Sequence, residues 1–249
     1  MKYSLLLLIL SIPFLLNGQN TPDSLQLNLT YPETTQGIKF SAKQLIIPGV
    51  LIAAGIYGTI DNTLDEKIQR QTSKWDGDTF ADNVLPFISP VSVYVLNWSG
   101  VRGKHNFIDR SVIIGTSAIL TVSTVQLMKS TISTNRPDGD GDDSFPSMHT
   151  AVAFAGAEFL WQEYKDQSIW YGVAGYTLAA GTGFLRMYNN RHWFSDVLTG
   201  AGIGILSTKA AYWLYPEIRK LYKGTKLDHA MIAPWGSSQG LGLSLSARF

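Results

Sequence analysis

Six apolar stretches recur along the chain and constrain its fold more than any other feature: LIIPGVLIAAGIYG (45–58), VLPFISPVSVYVLNW (84–98), VIIGTSAILTVSTVQLM (112–128), AVAFAGAEFLW (151–161), IWYGVAGYTLAAGTGFL (169–185) and VLTGAGIGILSTKAAYWLY (197–215). Their spacing predicts six helices with no internal repeat, and therefore an all-α bundle. The stretches are rich in Gly, Ala, Ser and Thr, which lets helix backbones approach closely in a membrane. WQEY, IWYG and AYWLY put Trp and Tyr at segment ends, where a lipid–water interface would lie. Most stretches fall short of the ~20 residues of a comfortable crossing. The mean hydropathy is only +0.04, so a buried soluble bundle is the alternative reading.

The ends of the chain read differently. MKYSLLLLILSIPFLLNGQN has one Lys, an apolar run from Leu5 to Leu16, then small and polar residues, so residues 1–18 are expected to be a secretory signal or an N-terminal anchor. Residues 19–43 form a polar segment, 44–215 the helical domain and 216–249 a tail. In that tail, GLGLSLSARF alternates with a period of two. With HAMIAPWGSSQ before it, it predicts a short β-hairpin turning near Gly236 to Gln239. One hairpin is too little for a transmembrane barrel. With 20 basic and 19 acidic residues the net charge is +1, which argues against a nucleic-acid-binding surface. The lack of cysteine excludes disulfides and thiolate metal sites. Nothing in the sequence bears on oligomeric state.

Polar residues gather between the apolar stretches. SFPSMHTAVAF (144–154) reads as a helix start, with Pro146 at an early position and Ser147 as a cap, yet nothing in a helix start asks for His149. Lys129 and Arg136 follow the third stretch, and RMYNNRHWFSD joins the fifth to the sixth. In an up-and-down bundle these segments emerge on one side, so the cations Lys129, Arg136 and Arg186 can meet His149, His192 and Asp196. Fixed positive charge beside the free N–H groups at Met148 and His149 suits a phosphate group. His192 and Asp196 are four apart, so a helix beginning near His192 would let the carboxylate hold the imidazole in one tautomer. An imidazole so oriented can be a nucleophile, and His149 can protonate the leaving oxygen.

Lys129-x6-Arg136-Pro137, Pro146-Ser147-x-His149 and Arg186-x5-His192-x3-Asp196 together resemble the three-part signature of the type 2 phosphatidic acid phosphatase (PAP2) family. That family shares its site with vanadium haloperoxidases and bacterial class A acid phosphatases. The resemblance covers residues 129–196 in order and spacing, and the six-segment pattern extends it over about 44–215. It departs in two places: Met148 stands where the family often has Gly, and Leu185 where it often has Ser. The resemblance implies a six-helix PAP2-type bundle with His192 as nucleophile, Asp196 orienting it, and His149 as acid. Lys129, Arg136, Ser147, the Met148 backbone and Arg186 would hold phosphate, with no metal or cofactor.

The implied activity is hydrolysis of a phosphomonoester or pyrophosphate on a membrane lipid, such as phosphatidate, phosphatidylglycerol phosphate, undecaprenyl pyrophosphate or a lipid A phosphate. A soluble periplasmic acid phosphatase is the alternative, followed by a vanadate-dependent haloperoxidase. DGDGDD (138–143) begins like a calcium loop, but Asp143 stands where that loop needs Gly and His149 where it needs Glu, so a flexible acidic loop is expected. Arg191 and His105 are expected to be surface charges rather than substrate contacts, and Trp193 to pack in the bundle. A cleaved signal would leave Asn20 outside, so that six crossings would put the catalytic loops in the cytoplasm. The basic YPEIRKLYKGTK after the last stretch points instead to a cytoplasmic end and a periplasm-facing site in a bacterial envelope; we adopt the second expectation.

Overall fold

The computed structural model describes residues 39–72 and 79–223, and the backbone of 230–237 and 240–247. The expected signal or anchor, residues 1–18, lies outside the described residues, as does the polar segment up to residue 38.

A 3-10 turn, Ala42–Leu45, leads into α1 (Ile46–Ile60), followed by α2 (Thr63–Thr72), α3 (Ala81–Trp98), α4 (Phe107–Thr131), α5 (Met148–Tyr164), α6 (Ile169–Tyr188) and α7 (Phe194–Lys220). Every predicted apolar stretch falls within a helix, apart from Leu45 in the 3-10 turn, and three of the helices are started by side-chain caps in the polar segments before them. Asn106 accepts from the Asp109 N–H to start α4, Ser147 from Thr150 to start α5, and Ser168 from Trp170 to start α6. Pro146 sits before its cap, outside the helix, joined to Phe145 by a cis peptide bond. The short helix α2 was not foreseen, because TLDEKIQRQT is mostly polar; it starts where Asp61 accepts from the N–H and hydroxyl of Thr63 at 3.2 and 2.7 Å. In the tail, β1 (Ala230–Ser237) pairs antiparallel with β2 (Gly240–Ala247), placing Ser237 opposite Gly240. Residues 238 and 239 between them lie outside the described residues.

α5 and α7 form the centre, and α1, α3, α4 and α6 pack around them. Gly200 and Gly204 allow the central approach: a Cβ on Gly204 would lie 2.2 Å from the Ala151 carbonyl oxygen, and one on Gly200 2.5 Å from that of Ser147. Such small-residue seams suit helices in lipid, where close van der Waals contact drives association. The outer helices turn large apolar side chains outward, among them Ile47, Val50, Phe87, Val91, Ile119 and Leu127. Ala42–Ile60 and Phe107–Thr131 are long and apolar enough to span a membrane, and only 11% and 22% of their apolar windows are buried in the protein. A soluble bundle would bury those faces, so the pattern is that of a membrane-embedded protein.

The interior, by contrast, holds charge. Lys209 Nζ lies 2.7 Å from Glu158 Oε1, and Tyr176 donates to the same carboxylate. Near the far end of α5, Glu163 accepts from the Tyr212 hydroxyl at 2.7 Å, and His105 Nδ1 lies 2.7 Å from its Oε1. His105 is thus a core residue, only 1% exposed, and not the surface charge expected; its polar loop context gave no sign that Glu163 would bury it.

Gly204→Val should destabilise the protein by overpacking, on the order of 1–3 kcal/mol or more, whereas Gly115→Ala, with nothing within 4 Å of the new Cβ, should not. Thermal unfolding of the two variants in detergent checks this contrast.

Candidate active site

One end of the bundle collects the predicted residues. Lys129 closes α4, His149 lies in the first turn of α5, Arg186 in the last turn of α6, and His192 and Asp196 flank the start of α7. The Ser147 N–H donates to the Asp196 carbonyl at 3.1 Å, tying the first turns of α5 and α7 together.

His192 precedes α7 rather than starting it, because Trp193 is the cap residue. Asp196 folds back, accepting from the Trp193 N–H at 2.8 Å and facing His192 Nδ1 at 3.3 Å, both through Oδ2. The pairing therefore arises from a capping turn and not from a shared helix face. Ser144 donates to the same oxygen at 2.5 Å and lies 3.5 Å from His192 Nδ1. A buried carboxylate at Nδ1 assigns the proton there, which leaves the Nε2 lone pair for attack. Burial, followed by the Arg186 and Lys129 charges, pushes His192 below its ordinary proton affinity against the pull of Asp196.

His149 Nε2 donates to Asn83 Oδ1 at 3.0 Å. Burial and then the Arg186 charge lower its pKa to about 4, with His192 and Arg136 adding to the effect. These mutual influences place the two imidazoles and the cations in one electrostatic neighbourhood.

Each cation is paired. Arg186 Nη1 meets Asp82 Oδ2 at 2.6 Å, with Asp82 only 1% exposed. Asn189 donates to the same oxygen at 3.1 Å. Arg136 holds Asp143 Oδ1 through Nε at 2.9 Å and Nη2 at 2.8 Å, and Lys129 Nζ donates to the Asp143 carbonyl. Ser147 is fully buried, and its hydroxyl serves Thr150 as a helix cap. The Met148 side chain packs toward Val125, Ala151 and Ile203, leaving its backbone at the helix start. Arg191 pairs with Asp138 at 3.2 Å and Asp140 at 3.5 Å, and Trp193 donates to the Asn135 carbonyl at 2.7 Å, so both brace the loop. The acidic loop is thus tied to arginines.

Sequence reasoning missed Asp82, Asn83 and Asp65. Asp65 of α2 accepts from the Ser195 N–H at 2.9 Å and its hydroxyl at 2.5 Å, beside the His192–Asp196 turn. For Asp82 and Asn83 a signal existed: the up-and-down alternation that joins the other segments also puts the start of the second stretch at this end.

Comparison with known proteins shows what the chain is similar to. Residues 110–220 match the model of the PAP2 superfamily. That segment is similar to the PAP2 superfamily. The chain is 36% identical over 166 residues, 66% of its length, to the lipid A 1-phosphatase of Porphyromonas gingivalis. The chain spans only 37% of that relative's length. Among solved structures, Aquifex aeolicus LpxE is 21% identical with a TM-score of 0.45, over 60% of this chain and 94% of that one. A transmembrane PAP2-type phosphatidylglycerolphosphate phosphatase from Bacillus subtilis is 18% identical with a TM-score of 0.42, over 73% and 96%.

Both imidazoles lie outside the apolar stretches and have folded pKa values below the 6.5 of a free histidine. The unfolded chain therefore binds more protons below 6.5, so stability is full above that pH and falls as pH drops toward about 4, where His149 titrates. The melting temperature in detergent should fall between about pH 7 and about pH 5, and His149→Asn should flatten part of that fall.

Proposed function

We propose that this protein is a phosphatase that removes a phosphate from a membrane lipid through a phosphohistidine intermediate. The observation that carries the reading is the Asp196-held Nδ1 of His192, which leaves Nε2 as a nucleophile at a point shared by Lys129, Arg136, Arg186 and the first turn of α5.

In this reading the three cations and the N–H groups at Met148 and His149 take the phosphate oxygens, stabilising charge as it spreads over them. His192 Nε2 attacks phosphorus and the bond to the lipid oxygen breaks. His149 delivers its proton to that oxygen. Water then attacks the phosphohistidine, His149 takes a proton from it, and the P–N bond breaks to release phosphate. An imidazole with a pKa near 4 is neutral in the empty site. The bound phosphate's negative charge offsets the neighbouring cations and raises the proton affinity of His149 in the complex. Asn83 holds the Nε2 proton until the leaving oxygen replaces it.

A phosphate on lipid A is the first substrate to test, because the P. gingivalis relative is a lipid A 1-phosphatase. His192→Ala should lower turnover by about a thousandfold or more while the protein still folds, and Asp196→Asn should cost less. His149→Ala should cost most on lipid substrates, whose alkoxide leaving group needs a proton, and least on an aryl phosphate. Phosphate release from a panel of lipid phosphates and one aryl phosphate reads all three; a His192→Ala variant with wild-type rates would end the mechanism.

We further propose that the catalytic end faces the periplasm. Support comes from the segment that follows the last apolar stretch, where Arg219, Lys220 and Lys223 cluster as at a cytoplasmic end. The chain has no cysteine, so single cysteines can be introduced without background. In intact cells Asp140→Cys should react with a membrane-impermeant maleimide and Lys223→Cys should not; the reverse pattern would invert the orientation.

A further inference from the structure

The two carboxylates that pair with the site's cations differ in kind. Asp82 is sealed in the bundle against Arg186 and also receives Asn189, so it is a fixed part of the wall. Asp143 rides on the loop between α4 and α5 with its side chain 53% exposed, yet it takes both Arg136 nitrogens and stands 3.9 Å from Lys129 Nζ. The loop backbone carrying it is tied down. The Thr134 N–H donates to the Asp142 carbonyl at 2.9 Å, Ser144 to Thr134 at 3.0 Å, and Arg136 to Gly141 at 3.1 Å. Gly141 holds a left-handed φ of 101°. The loop therefore presents one carboxylate to two phosphate-binding cations, and the side chain alone can swing out to water.

We infer that Asp143 is a built-in competitor for the phosphate seat, an anion that occupies Arg136 and Lys129 until a phosphate displaces it. This rests on the reading of Lys129 and Arg136 as phosphate ligands. A guanidinium that grips a carboxylate in this way grips phosphate oxygens by the same donors, so the two anions exclude each other. The displacement is feasible because a half-exposed ion pair is weak, its charges being well solvated when apart. A phosphate dianion brings more charge than the carboxylate it replaces. In the empty site the pair also keeps two cations from repelling each other across the mouth, and the seat opens only for a guest of sufficient charge.

The test is binding of inorganic phosphate to the detergent-solubilised full chain by titration calorimetry. Asp143→Asn, which keeps the backbone carbonyl that Lys129 uses, should tighten phosphate binding by about threefold to tenfold. Asp143→Ser should do the same, and it stands in if the first variant does not fold. Asp140→Asn removes an equal charge from the same loop, but at Arg191, and should change binding by less than about twofold. Unchanged or weaker binding in both Asp143 variants would overturn the inference and make Asp143 a brace for the cations. Equal tightening by Asp140→Asn would also overturn it, leaving only the general charge of the loop. Phosphate binding that is absent in all proteins, or unaffected by Arg136→Ala, would instead strike the phosphate seat itself, and the competition with it.

Discussion

A backbone hydrogen bond joins the first turns of α5 and α7. Glycine at 200 and 204 leaves room for the α5 backbone, and the Ser147 N–H reaches across to the Asp196 carbonyl. Both helices begin at the same level, so both present their positive dipole ends to the same spot. His149 follows the cap of one and His192 precedes the cap of the other. The spacing between the two imidazoles is therefore a property of a helix seam. Small residues there act on chemistry even though none of them carries a functional group.

Around that seam the charges balance. Asp82 offsets Arg186, Asp143 offsets Arg136 and Lys129, and Asp196 faces His192. Gathering three cations at a membrane surface without such partners would leave them to repel one another and to hold stray anions. The partners come from α3, from the loop and from α7, so the site is assembled from across the bundle. The consequence for the histidines is a neutral resting state: with burial added, neither imidazole has an unopposed anion to draw a proton.

Much of this was legible in the sequence. The six apolar stretches marked the six long helices, and the alternation of an up-and-down bundle pointed to the end of the bundle where Lys129, Arg136, His149, Arg186, His192 and Asp196 lie. What escaped was carried by polar residues in polar surroundings. α2 has no apolar run, and its role rests on Asp65 reaching Ser195, 130 positions away. His105 looked like a surface charge because Glu163, its burying partner, is 58 positions further on. Asp143 looked like a solvated acid because its two partners flank the loop rather than adjoin it in sequence. The His192–Asp196 spacing suggested a helix face, whereas a capping turn produces the same approach. Periodicity reports which faces are apolar; it is silent on long-range pairing of polar groups.

The recognisable domain and the working unit are not the same length. The family match begins at residue 110, after α1, α2 and α3. Yet Asp65 braces the His192–Asp196 turn, Asp82 and Asn83 hold Arg186 and His149, and Gly55 lets α1 lie against Thr199 and Ser195. A fragment cut at the homology boundary would keep every signature residue and lose the scaffolding that aims them. For anyone transplanting this end of the bundle into another membrane protein, the smallest portable piece starts near residue 46 and includes helices that no signature marks.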